Sequence, residues 1–264
     1  MEIYNLLKPD KILYPMVLSI PHSGDFIPES ISKTLNPEMV DGKDDADWFL
    51  PALYNFAQTL GIPVISANYH RWVVDLNRDP KGGQLYNDGR LITSVVPLTD
   101  FFGNELYVKG SEPDHLAITS RLEEYYYPYH TKLQEVLTNV KDKFGKVLLW
   151  DAHSIRREVP TLHPEPFPDF IIGTLSGKTC NDKFENIVFE TLKENRFSVE
   201  RNTIFKGGFI TRNYGIPESG TFSLQLEMSK DLYMKNNEKD WDAERAVGIS
   251  MIFETIFRKL FNDL

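Results

Sequence analysis

The stretch KVLLWDAHS, residues 146–154, constrains this chain more than any other. Val147 to Trp150 form an unbroken apolar run. A strand that is apolar at every position, rather than at every second one, turns both faces to the interior and needs a sheet covered on both sides. Further strand candidates lie at MVLSI (16–20), PVISANY (63–69), WVVDL (72–76), DFIIG (169–173), FSVER (197–201) and FSLQLEM (222–228). Helical spacing fills the gaps over residues 45–60, 114–143, 181–195 and 241–262, with Gly61 and Gly145 as stops and Pro128 as a break or kink. Strands alternating with helices of this length indicate an α/β sandwich of three layers, α/β/α, formed by one domain over residues 1–264.

The 264 residues suffice for a well-buried core, and 41% hydrophobic with 25% charged residues is ordinary for a globular chain. A net charge of -9 argues against nucleic acid or an anionic membrane surface as a partner, since both need a basic face. An anionic small molecule needs only a local basic pocket. Cys180 is the only cysteine, so no internal disulfide forms. The opening residues mix acid and base without an apolar core, and nothing approaches roughly 18 uninterrupted apolar residues. The plain expectation is a soluble cytoplasmic protein.

Open α/β sheets carry their sites at strand ends, where loops vary while the sheet holds them. Two strands here end in a histidine followed by serine: His22 after MVLSIP and His153 after KVLLWDA. Two imidazoles at one sheet edge, completed by a carboxylate, make a zinc site with an open position, where bound water has a pKa near about 7. A lone histidine at a strand end is more often a hydrogen-bonded structural residue; the matched pair makes the two readings even. Asp25, Glu29, Asp44, Asp45 and Asp47 are the candidate carboxylates, and at least one of the last three suits a helix N-cap.

Three more stretches bear on chemistry. In HRWVVDLNRDP, Asp75 and Asn77 share a strand face, and Arg78 follows where an arginine can grip a carboxylate or simply pair with Asp75 or Asp79. FSLQLEM alternates, with Ser223, Gln225 and Glu227 on one face; taken alone this face is solvated, but under a covering helix Glu227 becomes a buried acid in a cleft. In FKGGFITRNYG, Gly207 and Gly208 allow close backbone approach, without the pattern of a phosphate loop.

Read in order, SIPHSG, DADWFL, RWVVDLNRDP, YYYPYH, WDAHS, PDFIIGTLSGKTC, FKGGFITRNYG and LQLEMSKDLYM resemble the signature blocks of the N-formylglutamate amidohydrolase family, over about residues 16–235. The resemblance implies a mixed central sheet of the zinc carboxypeptidase and aspartoacylase kind. It implies one zinc ion and hydrolysis of N-formyl-L-glutamate to glutamate and formate, a step of histidine degradation in that family. It makes His22 and His153 metal ligands and draws the acidic ligand from DADW, as Asp45 or Asp47; Asp45 is preferred because it shares a helix face with Phe49 and Leu53. It makes Glu227 the general base, Arg78 with Asn77 the grip on one substrate carboxylate, and Arg212 the grip on the second. His130 and Asn202 are further substrate contacts on the same basis. The expected partner is thus a small anionic N-acyl amino acid. The alternatives are a deacylase or carboxypeptidase-like hydrolase acting on another N-acyl amino acid or peptide, and a non-catalytic carboxylate-binding protein.

Overall fold

The computed structural model describes residues 1–41, 44–83, 89 and 92–264. Its strands are β1 (Tyr4–Leu7), β2 (Met16–Ile20), β3 (Val64–Ala67), β4 (Val147–Ile155), β5 (Phe170–Gly173), β6 (Val199–Arg201) and β7 (Thr221–Ser229). Its helices are α1 (Glu29–Ser32), α2 (Pro37–Asp41), α3 (Leu50–Leu53), α4 (Phe56–Thr59), α5 (His115–Arg121), α6 (Tyr127–Phe144), α7 (Asp182–Glu194), α8 (Phe209–Tyr214) and α9 (Ala243–Phe261). The strands form one seven-stranded sheet in the order β1-β3-β2-β4-β7-β5-β6. The central strands β3, β2, β4 and β7 run parallel, while β1 and β5 pair antiparallel with β3 and β7, so the sheet is mixed.

Burial on both faces accounts for the apolar runs. Leu148, Trp150 and Ala152 of β4 pack with Leu18 of β2, Leu224 and Leu226 of β7 and the apolar stripes of α3, α4, α7 and α9. The alternate residues Val147 and Leu149 pack with Val17, Ile65 and the inner face of α6. Each fully buried side chain of this kind is worth about 1.5–3 kcal/mol relative to exposure, so both layers bind the sheet tightly. Helices on either side of a mixed sheet give the α/β architecture expected from the alternation.

Three local readings change. The helix read over 45–60 is two short ones, α3 and α4, preceded by a loop in which Asp45 and Phe49 take left-handed backbone angles, φ 61° and 64°. Pro51 explains this: inside a longer helix it would lack an amide hydrogen and clash with the carbonyl four residues back, whereas the first turn of α3 accepts it. WVVDL, read as a strand, is a series of turns in which Val73 N–H donates to His70 O and Asp75 N–H to Val95 O. Helix 114–143 keeps its course through Pro128, with a π-helical turn at Leu122–Tyr126 just before it. Gly145 closes α6 at φ 79°. The loop read over 80–112 lies partly outside the described residues. Among the described residues, no helix is long and apolar enough to cross a membrane.

Candidate active site

The C-terminal ends of β2, β4 and β7 lie side by side. His153 and Glu227 are register partners on the two parallel strands β4 and β7, and His22 follows β2, on the other side of β4. The imidazoles of His22 and His153 have ring centroids 4.9 Å apart. Asp47 reaches them through a main-chain link, its N–H donating to His22 O at 2.8 Å. Its Oδ2 then lies 3.2 Å from His153 Nδ1 and 3.6 Å from His22 Nδ1. One ligand atom from each of His22, Asp47 and His153 falls within 4.8 Å of the others, and all three residues are buried.

Two imidazoles and a carboxylate are the donor chemistry of a zinc-type site. The far nitrogens also have partners, as ligand histidines normally do. His22 Nε2 meets Asp75 Oδ1 at 2.7 Å, and His153 Nε2 lies 3.3 Å from Asp151 Oδ1, an oxygen that can accept its proton. Asn77 Nδ2, itself a donor, stands 3.1 Å from the same nitrogen. Both Nδ1 atoms therefore face Asp47, and the residues fit a divalent metal ion held by His22, Asp47 and His153.

Asp45 stands elsewhere, which corrects the helix-face argument for it, since residues 45–49 do not form a helix. Its carboxylate accepts from Trp72 Nε1 at 2.9 Å and from the Phe101 amide at 3.1 Å. Burial pushes its pKa up to about 6. Burial would also raise Asp47, but bonds to His153 and His22 outweigh it and hold this carboxyl below the usual range. For His153, burial works against protonation, yet the carboxylates of Asp151, Asp47 and Glu227 raise its pKa well above the ordinary imidazole value.

A cavity opens over the cluster, lined by Asp47, Arg71, Asn77, Arg78 and Glu227 among others, with an apolar wall that includes Phe101, Leu162 and Phe205. The face of β7 read as solvated when taken alone is covered: Gln225 and Glu227 are 4% and 8% exposed. Gln225 accepts the Gly208 N–H at 2.7 Å and donates to Glu227 Oε2 at 3.2 Å. Burial pushes the Glu227 pKa up to about 8, opposed mainly by His153. Asn77 Oδ1 accepts the Ile210 N–H at 2.8 Å, and a Cβ on Gly208 would fall 2.3 Å from Asn77 Nδ2. Glycine is thus required there by close approach, as the pair of glycines suggested.

The remaining candidates divide. Arg78 lines the cavity and donates to Thr93 O at 3.0 Å. Arg212 is not among the lining residues, and its Nε donates to Gly207 O at 2.7 Å. His130 is likewise off the cavity, with Nδ1 2.9 Å from Tyr214 Oη and Nε2 2.9 Å from Leu76 O, and burial pushes its pKa down to about 4. Asn202 bonds Thr174 and the loop behind β5. Arg71 and Gln225 are cavity residues that the sequence reading did not single out. Arg71 could have been found from its place four residues before Asp75, to which it donates at 2.5 Å. Its guanidinium also lies over the Phe101 ring, 4.5 Å from the centroid.

Residues 14–234 match the family model described as N-formylglutamate amidohydrolase. The chain is 38% identical over 251 residues to the N-formylglutamate deformylase of Pseudomonas aeruginosa, covering 95% of this chain and 92% of that protein. It is 36% identical over 225 residues to the N-formylglutamate deformylase of Pseudomonas putida, covering 85% and 83%. Among solved structures, the N-formylglutamate amidohydrolase of Ralstonia eutropha JMP134 superposes with a TM-score of 0.79 at 24% identity, over 99% of this chain and 98% of that one. A gene product of Agrobacterium tumefaciens gives 0.74 at 16% identity, over 98% and 96%. These two structures share the fold.

Proposed function

The chain belongs to the N-formylglutamate amidohydrolase family, and from that membership we propose that it hydrolyses N-formyl-L-glutamate to L-glutamate and formate with one zinc ion. The observation that carries this reading is the burial of Glu227 beside the His22–Asp47–His153 cluster, in a cavity also lined by Arg71 and Arg78. The names of the two Pseudomonas relatives support the substrate.

His22, Asp47 and His153 would hold the ion. Zinc supplies Lewis acidity there, polarising an amide carbonyl and making water a nucleophile at neutral pH. Glu227 takes the proton from the attacking water and passes it to the leaving amine. Burial favours the protonated form of Glu227, and a cation at the cluster would favour its ionised, basic form. Arg71 supplies positive charge where the carbonyl oxygen becomes anionic. Arg78, with Asn77 beside it, grips a substrate carboxylate by a charge-assisted pair. Arg71 and Arg78 bring two cations to the cavity of a chain of net charge -9, beside the carboxyl groups of Asp47 and Glu227. Phe101, Leu162 and Phe205 would face the carbon skeleton of the substrate and limit its hydration.

A substrate panel tests the reading. N-formyl-L-glutamate, N-acetyl-L-glutamate and N-formyl-L-leucine are offered to the zinc-loaded protein, and release of formate or acetate is measured. The reading predicts formate from N-formyl-L-glutamate with the highest kcat/KM. Faster turnover of the leucine compound would remove the side-chain carboxylate from recognition, and faster turnover of the acetyl compound would make the protein a deacylase of another class.

A further inference from the structure

We propose that Asp75 is the positioning residue that joins the two halves of this site, one carboxylate oxygen serving the ligand side and the other the cationic side. The inference rests on reading His22, Asp47 and His153 as a metal site. Asp75 is wholly buried, and its two oxygens have separate duties. Oδ1 lies 2.7 Å from His22 Nε2 and accepts the Asn77 N–H at 2.9 Å. Oδ2 accepts from Arg71 Nη2 at 2.5 Å and lies 3.6 Å from Arg78 Nη1.

A carboxylate at this position only accepts, so His22 Nε2 must donate to it. That assigns the imidazole proton to Nε2 and leaves the Nδ1 lone pair on the cluster side, 3.3 Å from Arg71 Nη1 and 3.6 Å from Asp47 Oδ2, where a metal ion would need it. Arg71 and Arg78 meanwhile draw together on the other oxygen, on the cavity side. An asparagine could not satisfy both halves. With its amide nitrogen toward Arg71, two donors would oppose each other. With that nitrogen toward His22, the proton would move to Nδ1 and block the ligand atom. The short spacing between Asp75, Asn77 and Arg78 thus links ligand tautomer to substrate grip through one side chain.

The test begins on the unaltered protein. Nitrogen NMR of the zinc-free chain should show His22 with its proton on Nε2; a proton on Nδ1 overturns the inference. Zinc affinity is then measured by chelator competition for the parent, Asp75→Asn, Arg71→Met and the double variant Arg71→Met/Asp75→Asn. The double variant removes the buried arginine that Asp75→Asn alone would leave unpaired, so a folding failure of the single variant does not end the test. We expect zinc binding to weaken by roughly 10–100-fold in Asp75→Asn and to stay weakened in the double variant. Zinc affinity within about threefold of the Arg71→Met parent in the double variant overturns the inference, because Asp75 would then serve only as a counter-charge for Arg71. A parent that binds no zinc sinks the metal reading and this inference together. Tight zinc binding with the stated tautomer, but no formate release, sinks the proposed substrate and leaves the role of Asp75 standing.

Discussion

Asp47 has two imidazoles for partners, while Asp45, two residues earlier, has an indole and a backbone amide. The two carboxylates should therefore fail differently when neutralised. Asp47→Asn should lose metal by more than the roughly 100-fold typical of an indirect contact. Asp45→Asn should keep its metal and lose about 1–3 kcal/mol of stability, since a donor would then face the Trp72 or Phe101 N–H. Metal content after dialysis and thermal melting separate the two outcomes; metal loss in Asp45→Asn alone would reverse the assignment. For Glu227→Gln, the proposed chemistry predicts retained zinc and substrate binding with turnover reduced on the order of 10²–10⁴-fold, read by formate release. Turnover near the parent's would remove Glu227 from proton transfer. The histidines were legible because apolar strands ended in them. The choice between Asp45 and Asp47 was not, because it turns on a left-handed loop and a single main-chain bond to His22 O, which no spacing rule contains.

The element that organises the site is the trio of parallel strand ends, β2, β4 and β7, whose uninterrupted or alternating apolar residues mark them plainly in the sequence. Helix α8 completes it from outside the sheet, through Gly208 N–H on Gln225 and Ile210 N–H on Asn77. This gives two glycines contrasting consequences. Gly208→Ala should drive Asn77 away from His153 and depress kcat/KM strongly. Gly145→Ala has open space around its Cβ and only a left-handed φ to pay for, so it should cost about 1 kcal/mol of stability and leave kinetics unchanged. Equal kinetic losses in both variants would mean that the packing of α8 on Asn77 is not special. The segment 72–76 reads as a strand because of its short apolar, β-branched run, but that run is buried among turns with no sheet behind it. Asn77 still lines the cavity, and Asp75, buried behind it, bonds the cavity residues His22 and Arg71.

At the scale of the whole molecule, two helical layers close over the sheet, and polar residues between them must be satisfied internally. His130 is one such residue, bonded through both nitrogens to Tyr214 and Leu76. Its folded pKa of about 4 lies below the ordinary 6.5, so the unfolded chain binds the extra proton first as pH falls. Its contribution is fully present above about pH 6.5 and is lost between there and about pH 4, amounting to about 3 kcal/mol. Asp45 and Glu227, raised to about 6 and about 8, pull the slope the opposite way over the same range. The His130 contribution is therefore read as the difference between the parent and His130→Gln in denaturant unfolding of the metal-free protein; identical pH dependence in the two would remove His130 from acid unfolding. The layered architecture was legible from strand and helix periodicity. The placement of His130 in the packing between layers was not, because burial of a histidine leaves no mark on its neighbours in sequence.

The central claim is that a metal ion at His22, Asp47 and His153 serves hydrolysis of N-formyl-L-glutamate, and formate release before and after chelation tests it most directly. The account predicts that the stripped protein releases little formate and that about one equivalent of zinc restores the rate. Full activity in protein shown to contain no metal would contradict it.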